Sequence, residues 1–252
     1  MRKSFVGLLA LAVFLSFTPK ASADLILAVD VNGSTQACAS DNNIGCTFGS
    51  ILLDINPAVG IIELATTTLG GVQVSGSFHS ADTDGGNLLT SSSLAIINTL
   101  ATAAFVQAAI GATDYVPLAT LAQATGSGTW ITSLGSSTTY TYYNDPTNQQ
   151  GAETPFDRPG TQVATFSDTS TGGVDSFDFN TELTIPVFDP NLFSMTLGFD
   201  LNLLGGDRLD SRGQALFKNQ LEVTEVPEPM SMLLLGSGLL GGGGYLKRRK
   251  KA

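Results

Sequence analysis

The ten residues Leu192-Phe193-Ser194-Met195-Thr196-Leu197-Gly198-Phe199-Asp200-Leu201 alternate without a break. Phe193, Met195, Leu197, Phe199 and Leu201 fall on one side, and Ser194, Thr196, Gly198 and Asp200 on the other. Successive side chains of an extended chain point to opposite faces, so a period of two marks a strand with one face in a core. A helix would scatter the same apolar residues around its circumference.

The pattern recurs outward from this stretch. Val72, Val74 and Phe78 alternate with Gln73, Ser75, Ser77 and His79. Further strands are predicted near 25–31, 50–55, 59–64, 128–134, 137–143, 161–167, 174–180, 182–188 and 214–224, in Thr/Ser/Val/Phe-rich segments punctuated by Gly, Asn, Asp and Pro. The turns DTDGGN (82–87), TSTGG (169–173) and LLGGD (203–207) carry residues that reverse a chain. Ser93 to Gly111 reads two ways: its alanines and i, i+3, i+4 apolar spacing suit an amphipathic helix, whereas β-branched Thr99 and Thr102 and the surrounding composition favour strands. Strands are preferred. About ten short strands, each with an apolar face to cover, imply an all-β fold, an antiparallel β-sandwich of one domain over 24–225. Asn144 to Gly160 is the longest irregular stretch, suited to a binding loop or a surface excursion.

The two ends are of another kind. Arg2 and Lys3 precede an uncharged apolar run from Phe5 to Phe17, followed by the small residues Ala21-Ser22-Ala23. Residues 1–23 therefore read as a secretory signal peptide, cut by signal peptidase before Asp24. At the other end Val226-Pro227-Glu228-Pro229 leads into MSMLLLGSGLLGGGGYL (230–246) and then Lys247-Arg248-Arg249-Lys250-Lys251. As a helix rising about 1.5 Å per residue the uncharged stretch would reach roughly 25 Å, close to a hydrocarbon core of about 30 Å. Helix is the form in which a single pass satisfies its own backbone groups. The basic cluster resists translocation, which holds it in the cytoplasm and leaves the bulk of the chain outside. The prolines around Glu228 fix φ, remove two donors and hold an extended strip that a protease can grip. Spacing alone fits an ordinary anchor with a stiff linker equally well.

Together, Val226-Pro227-Glu228-Pro229, the short Gly/Leu-rich span and the terminal basic cluster resemble the PEP-CTERM sorting tail of exported bacterial proteins, over residues 226–252. The resemblance implies recognition by an exosortase-type membrane protease, removal of the tail, and release or attachment at the cell surface. It also implies a host that makes extracellular polysaccharide.

Between the two ends the chain holds four basic residues, Arg158, Arg208, Arg212 and Lys218, against 21 acids, a net charge of −17. Such a surface repels phosphates, which argues against nucleic acid or an anionic membrane as partner. Cys38 and Cys46 are the only cysteines, and in an exported chain a disulfide between them is expected. The small loop it closes would add roughly 2–3 kcal/mol on the chain-entropy model.

Candidate sites are sparse. His79, the only histidine, sits on the polar side of its strand, and the chain has no Gly-x-Ser-x-Gly elbow, so no catalytic residue is assigned. Asp82, Asp84 and Asn87 are candidate oxygen ligands for calcium, although their turn lacks a full calcium-loop spacing and a plain turn is the preferred reading. Trp130, Tyr140 and Tyr142 are candidates for a sugar-binding row of rings, or for the core of a sandwich. The function read from the sequence is that of a non-enzymatic cell-surface or extracellular-matrix protein associated with extracellular polysaccharide. The alternatives are a carbohydrate-binding module and a polysaccharide-acting enzyme.

Overall fold

A computed structural model describes residues 24–41, 46–83, 86–115, 121–132, 134–184 and 192–218. The signal peptide and the sorting tail lie outside these residues. Thirteen strands run through the described chain: β1 (Leu25–Val31), β2 (Thr35–Ser40), β3 (Ser50–Ile51), β4 (Ile61–Leu69), β5 (Val72–Thr83), β6 (Gly86–Asn98), β7 (Ala104–Tyr115), β8 (Leu121–Thr132), β9 (Ser137–Asp145), β10 (Thr161–Thr169), β11 (Gly173–Thr184), β12 (Phe193–Leu203) and β13 (Arg208–Lys218). They form a seven-stranded sheet in the order β10-β9-β12-β7-β1-β2-β3 and a six-stranded sheet in the order β11-β8-β13-β6-β5-β4. Every pairing is antiparallel except β2 with β3, which makes the first sheet mixed.

The all-β class expected from the alternation is present, but the strands are more numerous and longer than expected. β6 runs to 13 residues and β5, β7, β8 and β11 to 12. Positions 174–188, read as two strands, contain one unbroken strand to Thr184, because the pairing with β8 runs on through Asn180, Thr181 and Glu182. The last strand begins at Arg208 rather than 214. Residues 93–111 are not helical: β6 ends at Asn98 and β7 starts at Ala104. The buried Asn98 amide makes that turn. Its Nδ2 donates to the carbonyls of Thr102 at 2.8 Å, Leu203 at 3.0 Å and Leu204 at 3.1 Å, while its Oδ1 accepts from the Leu100 N–H at 3.0 Å.

One core fills the space between the sheets. Phe193, Met195, Leu197, Phe199 and Leu201 enter it from β12, opposite Val72, Val74 and Phe78 of β5. Tyr140 lies among Phe177, Phe179 and Phe199 with ring centroids 5.9, 5.6 and 5.3 Å away. Burial pushes its phenol up to about 12. Gly126 and Gly128 of β8 leave room for those rings, since a Cβ at either position would run into Phe179 or Phe177.

The seven-stranded sheet is also covered on its outer face. All seven residues of β1 are buried, and so are Ser194 and Thr196 on the side of β12 that faces away from the core. Over β7, β9 and β12 the cover is the 146–160 segment. Its Arg158 lies over Gly198, where a Cβ would sit 2.5 Å from the guanidinium carbon. The guanidinium grips Asp200 through Nη1 to Oδ2 at 2.9 Å and Nη2 to Oδ1 at 2.8 Å, and adds Thr141 Oγ1 at 3.1 Å. Asn148 bridges to Asp114, and the Gln150 amide donates to the Gly111 carbonyl. The stretch read as a binding loop or a surface excursion is therefore clamped down on the sheet as a lid. A Cys38–Cys46 disulfide ties a second stretch of chain to the same outer face.

Candidate functional site: an open hydroxyl-lined groove

The outer face of the six-stranded sheet is open, and there the register brings small polar side chains into rows. Ser176 of β11 pairs with Thr129 of β8, which pairs with Asp210 of β13. The next row holds Asp178, Ser127, Arg212, the Ser92–Ser93 pair, Ser77 and Glu63. Beyond it come Asn180, Thr125, Thr90 and His79. Neighbouring strands lie about 4.8 Å apart, so the rows form a grid of hydroxyls and amides on one surface.

Two bulges bend this grid. Between Ser77 and Phe78 the partner strand β6 carries one residue too many, and both Ser92 and Ser93 are exposed as a result. β4 does the same at Ala65–Thr66, opposite Ser75. A bulge bends its strand and re-aims side chains. The curved face encloses a groove of about 610 Å³, lined among others by Ser75, Ser77, Ser92, Ser93, Ser127, Thr129 and Ser176. A second hollow of about 410 Å³ adjoins it and shares Ser92, Ser127 and Arg212.

Polar contacts within the groove are few and local. Ser77 Oγ and His79 Nε2 are 2.8 Å apart, a pair set up by i, i+2 spacing on one strand. Ser92 Oγ donates to the Ser77 carbonyl at 3.1 Å, and Thr129 and Ser176 share a hydroxyl contact at 3.3 Å. Arg208 and Asp210 form an ion pair at 2.8 Å along one wall. At the β11 end the N–H and hydroxyl of Thr171 hold the exposed Asp175 carboxyl below the usual carboxylate range. The groove offers hydrogen-bond donors and acceptors at close spacing, one guanidinium, Arg212, and two carboxylates, Glu63 and Asp210, the second of them paired with Arg208. That inventory suits a ligand rich in hydroxyls.

The candidate aromatic row is not part of it. Trp130, Tyr140 and Tyr142 are at most 1 % exposed, in the core between the sheets, so the alternative that read these rings as core residues holds. The Trp130 indole N–H donates to Asp168 at 2.7 Å and the Tyr142 hydroxyl to the Thr125 carbonyl at 3.1 Å. Of the calcium candidates, Asp84 and the side chain of Asp82 lie outside the described residues, and Asn87 is fully buried. Among the described residues no cluster of three or more His, Cys, Asp or Glu side chains could hold a metal. The groove itself escaped sequence reading because six strands distant in the chain build it. The only signal was the Ser/Thr content of alternate positions in 73–79 and 125–129.

No protein-family model matches the chain, and no curated protein matches it. Among solved structures it is similar to the carbohydrate-binding module TmCBM61 in complex with β-1,4-galactotriose, at 14% identity over 59% of this chain and 89% of that one, with a TM-score of 0.31. It is similar to the family 11 carbohydrate-binding module of the cellulosomal cellulase Lic26A-Cel5E of Clostridium thermocellum, at 10% identity over 66% and 93% with a TM-score of 0.29. It is also similar to the enzymatically active domain of the bacteriophage CBA120 tailspike protein 4, at 13% identity over 59% and 18% with a TM-score of 0.26. Likenesses this distant identify neither a family nor a ligand for this chain.

Proposed function

We propose that the chain is an exported, non-enzymatic β-sandwich that holds extracellular polysaccharide against the outer face of its six-stranded sheet. The observation that carries this reading is the hydroxyl-lined groove of about 610 Å³ on the face that no loop among the described residues covers. Its serines and threonines can both donate to and accept from sugar hydroxyls, and the strand spacing repeats them along the groove. The disulfide is in keeping with an oxidising compartment outside the cytoplasm. Delivery there rests on the signal peptide and on the sorting tail, with Glu228 between its prolines as the feature an exosortase-type protease would read.

Catalysis is not part of the proposal. Ser77 and His79 form a hydrogen-bonded pair, but among the described residues no carboxylate is bonded to the other ring nitrogen. A nucleophilic serine requires an oriented base.

Affinity electrophoresis in gels containing soluble polysaccharides tests the proposal. Migration of the wild type should be retarded by at least one of them. Ser127→Trp fills the middle of the groove from the solvent side and should abolish that retardation while leaving the melting temperature within a few degrees. Equal retardation of the variant, or none of the wild type across neutral and acidic polysaccharides, would refute it.

A further inference from the structure

We infer that the groove selects polysaccharides carrying isolated carboxylate units, with Arg212 as the residue that reads the carboxylate. This rests on the proposed glycan-binding role and narrows its ligand class.

Cations are scarce between the two ends: four against 21 acids. Two of the three arginines are committed to carboxylates of the chain itself, Arg158 to Asp200 and Arg208 to Asp210. Arg212 is exposed and makes no ion pair among the described residues. Its position is central, at the junction of the 610 Å³ groove and the 410 Å³ hollow beside it. Directly opposite on β6, the bulge leaves both Ser92 and Ser93 exposed, and both line the groove with Arg212, Ser92 Oγ donating to the Ser77 carbonyl at 3.1 Å. A planar guanidinium takes a carboxylate through two parallel N–H bonds, and flanking hydroxyls are suited to the neighbouring ring oxygens of a sugar.

The same charge inventory sets an upper limit on ligand charge. A net of −17 repels a densely sulfated or phosphorylated polymer, and a single guanidinium cannot offset that repulsion. A uronic acid between neutral sugars fits better. It offers one planar charge to Arg212 and hydroxyls to the serine rows on either side.

The test is calorimetric titration of the full chain with an oligosaccharide alternating glucose and glucuronic acid, and with the same oligosaccharide after carboxyl reduction. The acidic form should bind about ten-fold tighter at low salt, and the advantage should shrink as sodium chloride rises. Arg212→Gln should lower the affinity for the acidic form to that for the reduced form, and Arg212→Lys should keep part of the preference. Equal wild-type affinity for the two forms would overturn the inference and leave the glycan-binding reading standing. A preference that survives Arg212→Gln would also overturn it. Binding of neither form would also overturn it, with the glycan-binding reading decided separately by retardation across the neutral and acidic polysaccharides, and tighter binding of a sulfated oligosaccharide would refute the choice of carboxylate.

Discussion

Arg158→Met removes the clamp on the 146–160 lid while keeping an unbranched apolar stem over Gly198. Four hydrogen bonds disappear: two to Asp200 at 2.8 and 2.9 Å, one to Thr141 Oγ1 and one from Nε to the Pro155 carbonyl, both at 3.1 Å. The side chains of the ion pair are 12 % and 27 % exposed, so the pair lies between a surface bridge of 0–1 kcal/mol and a buried one whose breakage costs about 3–5 kcal/mol. Asp200 keeps the Gln107 amide at 3.2 Å, which lowers the loss further. A destabilisation of about 2–3 kcal/mol follows, equivalent to roughly 5–10 °C in Tm for a domain of this size. Urea melts of wild type, Arg158→Met, Asp200→Asn and the double variant should give a coupling energy of about 1.5–2.5 kcal/mol. Limited proteolysis should cut the variant first within 146–160. A coupling below about 0.5 kcal/mol, the level of an exposed pair, would refute the clamp. Because the lid covers the opposite sheet, Arg158→Met should leave polysaccharide retardation intact.

Three further outcomes are expected. The Asp30 side chain is 1 % exposed and neither oxygen has a hydrogen-bond partner among the described residues, so Asp30→Asn should raise stability by about 1–3 kcal/mol in urea melts; a loss of that size would contradict this. Tyr140, with its phenol raised to about 12, favours the folded state below pH 10, and that contribution should fall by about 2–3 kcal/mol as pH rises from 10 to 12. Tyr140→Phe should flatten that part of the stability–pH curve, and an unchanged slope would contradict the assignment. Mass spectrometry of exported material should find chains ending near Val226–Pro229, whereas a mature form keeping Leu246 and the basic cluster would exclude processing of the tail.

The alternation of residues 192–201 showed the strand and its core-facing side, and the same period recovered β1 and the start of β5. It misjudged the other side of β12. Asp200 is polar because it holds Arg158, and Thr196 lies against Gly151 of the 146–160 lid, while the Ser194 and Thr196 hydroxyls are buried without a hydrogen-bond partner among the described residues. β2 went unseen because Thr35-Gln36-Ala37-Cys38-Ala39-Ser40 has only small apolar residues, too little contrast for a period of two to register. The helical option for 93–111 could not be dismissed without knowing that Asn98 would reach the Leu203 and Leu204 carbonyls, over a hundred residues away. The groove was the least legible feature. Serines at alternate positions announce a polar face, but only the pairing of β4, β5, β6, β13, β8 and β11 and two bulges make that face concave.

Chemical-shift mapping on ¹⁵N-labelled protein locates the ligand most directly. Titration with an oligosaccharide of a polysaccharide that retards the protein should move the amides of Ser75–Ser77, Ser92–Ser93, Ser127–Thr129 and Arg212 together, with the 146–160 segment silent. Shifts confined to that segment or to the β2–β3 edge, with the groove amides unmoved, would contradict the assignment of the open sheet face as the binding surface.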